Sequence, residues 1–183
     1  MKTFISIVLF FLSLSISAQN ADDEKVYAKE NISISLQKSK DLGEDVPNYH
    51  LVIAKNKKII FEDSVYSKVG EMELRDFNGD GIKDILIQNI SDVRSNWTYF
   101  LYLYDRKSKN FTKIKDFETI KNPEYNKEYR LIESYTVSGR DYIQFYKFVG
   151  NTVKNLGETV YDDHSDNDDY DDQYQKVLEK ISK

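Results

Sequence analysis

Cysteine is absent from the chain, so neither a disulfide framework nor a thiolate metal site can hold it together. Histidine is scarce: His50 sits in an apolar run, where a packed residue is the ordinary reading, and His164 sits in an acidic stretch. No H-E-x-x-H pattern, no nucleophile elbow with a Ser-His-Asp set and no phosphate-binding glycine loop occurs. Positive charge is in deficit, with 26 Lys and Arg against 31 Asp and Glu for a net charge of −5, which argues against a nucleic-acid partner. The two prolines, Pro47 and Pro123, fall in a loop and at a break between segments. Only one long hydrophobic run is present, Phe4 to Ile16, after the positive Lys2 and before Ser17-Ala18. That layout predicts a secretory signal peptide over residues 1–18, cut after Ala18; the competing reading is a buried N-terminal helix. With no Cys after the run, no lipid anchor is expected. The mature chain is expected to be periplasmic or secreted, without a membrane anchor, and monomeric.

What the chain has in quantity is aromatic residues, 14 Tyr and 10 Phe, which suit pleated, half-buried surfaces. After a polar lead-in over 19–30, Ile32, Ile34 and Leu36 alternate with Ser33, Ser35 and Gln37, the period of a half-buried strand. Further extended segments are expected at 49–54, 58–62, 65–75, 82–90, 97–104, 111–115, 129–137, 141–149 and 152–161. Lys55-Asn56-Lys57 reads as a tight hairpin turn. Strands at this spacing predict an all-β domain over 31–161, built as an antiparallel β-sandwich or a small propeller-like sheet. Residues 162–183 then form an acidic linker and a short C-terminal helix from Gln173 to Ser182, with Val177, Leu178 and Ile181 on one face. The alternative for the linker is a second metal loop at Asp162, Asp166 and Asp168, although that spacing is irregular.

The stretch Asp76-Phe77-Asn78-Gly79-Asp80-Gly81-Ile82-Lys83-Asp84 places oxygen side chains at every second position and then at Asp84. Hard cations such as Ca2+ take six to eight oxygen ligands, and a chain that curls round the ion supplies them at this spacing. Gly81 permits the sharp turn that brings the Ile82 carbonyl inward. The opening matches an EF-hand loop, but the twelfth position is Ile87 rather than Glu, and a strand-like run follows instead of a helix. The expectation is one calcium loop between two strands, with Asp76, Asn78, Asp80, Ile82 and Asp84 as ligands; the alternative is an Asp/Asn/Gly-rich hairpin without metal. An ion that binds only the folded state would take over part of the work disulfides do in other exported domains.

A second stretch, Ser138-Gly139-Arg140-Asp141-Tyr142, reads as a hairpin tip in which Gly139 supplies backbone freedom. It is also S-G-x-x-Y, a pattern that resembles the loop bacterial lysozyme inhibitors insert into the active-site cleft of the hydrolase. The resemblance extends over Met72 to Val160: LRDFNGDGIKDILI, then YFLYLYDRKSKNFTKI, Asn122-Pro123, SGRDY and FVGNTV. In this order the segments are similar to those of exported immunity proteins that carry a calcium loop and protect bacteria from lysozyme-like effectors delivered by type IV secretion. The fold of that family is similar to that of periplasmic inhibitors of invertebrate-type lysozymes. The resemblance implies calcium ligation at Asp76, Asn78, Asp80, Ile82 and Asp84, and an inhibitory loop at Ser138, Gly139 and Tyr142. It implies a lysozyme-like peptidoglycan hydrolase as protein partner, with no reaction performed by the chain itself.

Two other readings compete with an inhibitor. A calcium-stabilised surface or periplasmic adhesion module would use SGRDY as a plain turn. An enzyme acting on wall sugars would use Glu71 and Glu73, whose spacing places them on one strand face. No organised catalytic set accompanies that pair, and the chain is not expected to be an enzyme.

Overall fold

The computed structural model describes residues 27, 29–40, 43, 46–162 and 169–182. The predicted signal peptide, most of the lead-in, His164, Asp166 and Asp168 lie outside the described residues. The fold is antiparallel β with one short C-terminal helix, as the strand spacing predicts. Among the described residues no helix is long and apolar enough to cross a membrane.

The strands form three meanders in chain order. The first sheet holds β1 (Ile32–Lys38), β2 (Tyr49–Lys55) and β3 (Lys58–Val65). The second holds β4 (Met72–Arg75), β5 (Asp84–Ser91), β6 (Trp97–Asp105) and β7 (Asn110–Ile114). The third holds β8 (Pro123–Asn126), β9 (Leu131–Thr136), β10 (Asp141–Val149) and β11 (Thr152–Asp162). Helix α1 (Tyr170–Ile181) follows.

Side-chain alternation stacks these sheets. In β5, Ile85 and Ile87 point into a core shared with Leu51, Ile53 and Val65 of the first sheet, while Leu86 points into a core shared with Ile132 of the third. Every residue from Asp84 to Gln88 is therefore buried, which explains why β5 reads as a continuous apolar run rather than an alternating one. Strand β6 behaves alike: Tyr102 and Tyr104 face the first sheet and Leu101 the third. The outer face of the third sheet is closed by α1, whose Leu178 is buried among Leu131, Ile143, Phe145 and Val160, with Val177 and Ile181 beside it. The amphipathic face expected of this helix is the one that packs, although the helix begins three residues earlier, at Tyr170.

Several local expectations change. The 65–75 segment is not one strand: the buried side chain of Asn48 clamps Ser67, donating to its carbonyl (3.0 Å) and accepting from its N–H (2.9 Å). The chain turns there through Gly70 at φ +72°, where a Cβ would lie 2.2 Å from the Tyr49 hydroxyl oxygen. Pro123 does not interrupt structure but begins β8, an edge strand, where a missing N–H costs no ladder bond. Tyr27, in the polar lead-in, is buried against Tyr104 and Phe111. His50 is not packed: it is half-exposed, 3.2 Å from the Ser64 hydroxyl and 3.5 Å from Glu62. The Asn56-Lys57 hairpin is as expected, both residues lying at positive φ (49° and 64°).

Because the second sheet is buried on both faces, its centre is the most sensitive part of the fold. Leu86→Ala is expected to lower unfolding stability by about 2–5 kcal/mol, read as a shift in denaturation midpoint at unchanged slope.

Candidate functional site

Strands β5 and β10 both span the stack, and each joins one candidate site to the other end. The 76–83 loop precedes β5, and Asn78 and Asp80 share a groove with Gly150 and Asn151, which follow β10. The 137–140 turn precedes β10, and it is bonded to the loop that follows β5. A strand of this length spans about 25–30 Å, so the two sites occupy opposite ends of the molecule.

The 76–83 loop connects β4 to β5, as expected of a loop between two strands. Its oxygens curl the backbone by short-range bonds. Asn78 Oδ1 accepts from the Asp80 N–H (2.9 Å), Asp80 Oδ1 from the Ile82 N–H (2.8 Å) and Asp76 Oδ2 from the Gly81 N–H (3.1 Å). Gly81 takes φ +83°, the conformation the turn requires. Ile82 buries its side chain in the core beneath. Lys127 approaches Asp76 Oδ2 at 3.4 Å. Asp84 is fully buried at the base of the loop and accepts from the Phe77 N–H and the Tyr104 N–H, both at 3.0 Å. Burial pushes its carboxyl up to about 7, against the pull of the Tyr104 and Phe77 amides.

Asp76, Asn78 and Asp80 thus lie on one curl, and Asp84 is set apart behind it with both oxygens engaged by backbone. Among the described residues no three acidic or histidine side chains converge into a metal-ligating cluster. One atom points to a further ligand nonetheless: Asp76 Oδ1 is buried and accepts no hydrogen bond from the described residues. Carboxylate oxygens that accept one N–H also keep a second lone pair. The residues therefore fit a hard cation at Asp76, Asn78 and Asp80, with Asp84 as a loop-closing group first.

At the other end, Ser138 and Gly139 form the tip between β9 and β10, and Tyr142 stands at its base. The turn closes on itself. The Ser138 N–H donates to Asp141 Oδ1 (2.7 Å), the Ser138 hydroxyl donates to the Arg140 carbonyl, and the Arg140 N–H returns to Ser138 Oγ (3.2 Å). Tyr142 pairs with Thr136 and Tyr161 across the sheet, its ring 6.1 Å from that of Tyr161. The Arg140 guanidinium lies over the same Tyr161 ring at 4.3 Å. Gly139 differs from expectation. Its φ is outside the left-handed region, and a Cβ there would meet nothing within 4 Å. The fold does not require glycine at this position.

Sequence reasoning missed what ties the tip down. Asn96 is buried and bridges to the turn, donating to the Val137 carbonyl and accepting from the Val137 N–H, both at 2.8 Å. Asn122 donates to Asn96 Oδ1 (3.2 Å) and to the Tyr135 carbonyl (2.9 Å). Asp92 accepts from Asn96 Nδ2 (2.8 Å) and from the Arg94 N–H (2.9 Å). The signal available was Asp92 and Asn96 bracketing a short polar segment before an aromatic strand, an Asx-turn pattern. Glu73, one of the paired glutamates, lies 3.3 Å from the Arg75 guanidinium.

The Asn96 amide, with the backbone N–H groups of Arg94 and Asn96, holds the Asp92 carboxyl well below the usual carboxylate range. A depressed acid stabilises the fold above its unfolded pKa, and the contribution disappears as pH falls through the folded value. The stability difference between the parent chain and Asp92→Asn is therefore expected to be constant above about pH 5 and to shrink below about pH 4, read by urea unfolding at each pH.

No protein-family model matches the chain, and no curated protein sequence matches it. A solved structure of a Xanthomonas type IV secretion system related protein superposes with a TM-score of 0.49 at 17% identity, over 74% of this chain and 80% of that one.

Proposed function

We propose that the chain is an exported, calcium-binding inhibitor that blocks a lysozyme-like peptidoglycan hydrolase by inserting the Ser138–Tyr142 turn into its cleft. The observation that carries this reading is Gly139. It is exposed at a hairpin tip, free of any backbone need for glycine and free of any neighbour that a side chain would strike. A glycine that the chain's own fold does not demand is explained by the close approach of another molecule. The turn is also pre-organised: internal bonds of Ser138 and the Asn96 bridge fix it before any partner arrives, which reduces the entropy lost on binding. In a cleft lined by carboxylates, the Ser138 hydroxyl would exchange its Arg140 carbonyl for a carboxylate acceptor. Tyr142, half-buried against Tyr161, would brace the base.

Calcium, in this reading, serves the opposite end of the stack. Asp76, Asn78 and Asp80, with the Ile82 carbonyl, would hold the ion, and Asp84 would keep the loop ends together. When bound, the ion supplies a cross-link available to the folded state alone. The adhesion-module reading is favoured by one observation, that the Ser138 hydroxyl is already committed within the turn.

Three experiments test the proposal. The mature chain, assayed against a panel of lysozyme-like hydrolases, is expected to inhibit at least one. Gly139→Leu is expected to keep the melting temperature while weakening that inhibition by at least about tenfold, equivalent to ~1.4 kcal/mol. Ser138→Ala and Tyr142→Ala should weaken it as well. Full inhibition by all three variants would sink the loop assignment, and a pulldown that returns a surface protein without hydrolase activity would favour the adhesion module. For the ion, Asp80→Ala should lower Tm and remove its dependence on added calcium, a stabilisation of about 2.7 kcal/mol at hundredfold excess over Kd in the parent chain.

A further inference from the structure

The turn end of the stack carries more than the turn. Beside it, the loop after β3 and the loop after β5 enclose a groove of about 310 Å³, walled by Val69, Val93 and Trp97 and floored by Gln88. These walls are exposed. Val93 stands fully in solvent at 103% exposure, with Val69 at 45% and Trp97 at 36%. Three large apolar side chains exposed around one groove on a small domain indicate an interaction surface.

The floor supplies an independent sign of a ligand. Gln88 is 94% buried by its 6% exposure, and its Nε2 donates to no acceptor among the described residues. A buried amide N–H without an acceptor is costly to the free protein. An acceptor arriving with an occupant would relieve that cost.

Three observations select a protein as the occupant, and the same protein that receives the turn. First, the groove and the turn are one rigid surface. Asn96, buried beside Trp97, is bonded to Val137 through both its amide oxygen and its amide nitrogen. Second, exposed cations flank the groove. Lys68 and Arg94 are exposed at this end, whereas Asp92 is engaged by Asn96 and Lys121. Glycoside hydrolases carry a pair of carboxylates across the scissile bond, so an acidic cleft meets cations here although the chain is acidic overall. Third, a stable interface removes about 800 Å² per partner from solvent, and a four-residue tip alone falls well short of that.

We propose that the groove formed by Val69, Val93 and Trp97 over Gln88 is the second contact of the inhibitory interface. It seats an apolar side chain from the rim of the hydrolase cleft, whose neighbouring carbonyl accepts from Gln88 Nε2. Val93 projects into the partner, and Lys68 and Arg94 face the cleft carboxylates. This inference rests on the inhibitor reading above, but it engages different residues and can fail separately.

The chain contains one tryptophan, so growth with 5-fluorotryptophan gives a single 19F resonance that reports on the groove alone. The labelled mature chain is titrated with unlabelled c-type, g-type and i-type lysozymes, and Kd is measured in parallel for Val93→Glu and Gly139→Leu. Both substituted positions are exposed, so both variants are expected to fold. The proposal expects the resonance to shift with a lysozyme that binds, and Val93→Glu to weaken that binding at least tenfold. Binding that is lost in Gly139→Leu but unchanged in Val93→Glu, with an unmoved resonance, overturns this inference and leaves the inhibitor reading standing. Weakening by Val93→Glu alone upholds the groove and removes the turn. Absence of binding by all three lysozymes overturns both. A chain that sediments as a dimer by itself, and as a monomer when Val93→Glu, assigns the groove to self-association and overturns the proposal.

Discussion

Burial of the second sheet on both faces is the constraint from which the rest of the molecule follows. Strand β5 has no solvent face over Asp84 to Gln88, so its apolar triplet Ile85-Leu86-Ile87 must be shared between two cores. A sheet covered on both faces can present function only at its ends. The two polar residues that bracket the triplet mark those ends. Asp84, at one end, has both oxygens satisfied by the Phe77 and Tyr104 amides. Gln88, at the other, has an amide nitrogen with no acceptor among the described residues. The base of the first end is thus satisfied, although Asp76 Oδ1 and Arg75 Nε beside it have no hydrogen-bond partner there, and the base of the second is not.

This asymmetry bears on how an ion would act. The 76–83 loop needs no metal to form its turns, because each Asx side chain already caps a backbone N–H two or more residues ahead. Lys127, 3.4 Å from Asp76 Oδ2, offsets part of the loop's negative charge. Asp76, Asp80 and Asp84 still crowd within nine residues, and burial first, with the Asp80 charge beside it, pushes Asp84 toward its neutral form. A cation on the curl would offset that repulsion without rearranging the backbone. A calcium effect on stability that leaves secondary structure untouched is the natural consequence.

The strands were legible in the sequence wherever one face of a sheet is wet, as in Ile32, Ile34 and Leu36, and where a polar dipeptide had only one reasonable turn, as at Asn56-Lys57. The amphipathic face of α1 was legible for the same reason, Leu178 being the residue that buries. Two features of the fold were not. Pro123 carries a breaker's reputation that an edge strand cancels, and edge position is a tertiary fact. The 66–71 turn is imposed by Asn48, nearly twenty residues upstream, which no local pattern encodes. Of the site, the oxygen spacing of the loop and the placement of SGRDY at a hairpin tip were readable, because both are local. The Asn96–Asn122 anchoring joins segments 26 residues apart, and the groove over Gln88 gathers two separate loops and the first residue of β6. Neither has a sequence period to betray it.

The distance between the ends also separates two kinds of rigidity that the sequence alone merges. A calcium loop, if the 76–83 segment is one, would suggest a staple that stiffens the 137–140 turn directly in a chain without disulfides. In the folded chain the turn lies about 25–30 Å from that loop, along β5 and β10. Its stiffness comes instead from Asn96, Asn122 and the internal bonds of Ser138, none of which touches the 76–83 curl. Coupling of a bound ion to the turn would therefore pass through global stability: loss of such an ion would lower the population of folded chain and leave the geometry of the turn in the folded fraction unchanged. An apparent calcium requirement for binding would then follow the fraction folded, and it would vanish at temperatures where the ion-free chain is still native.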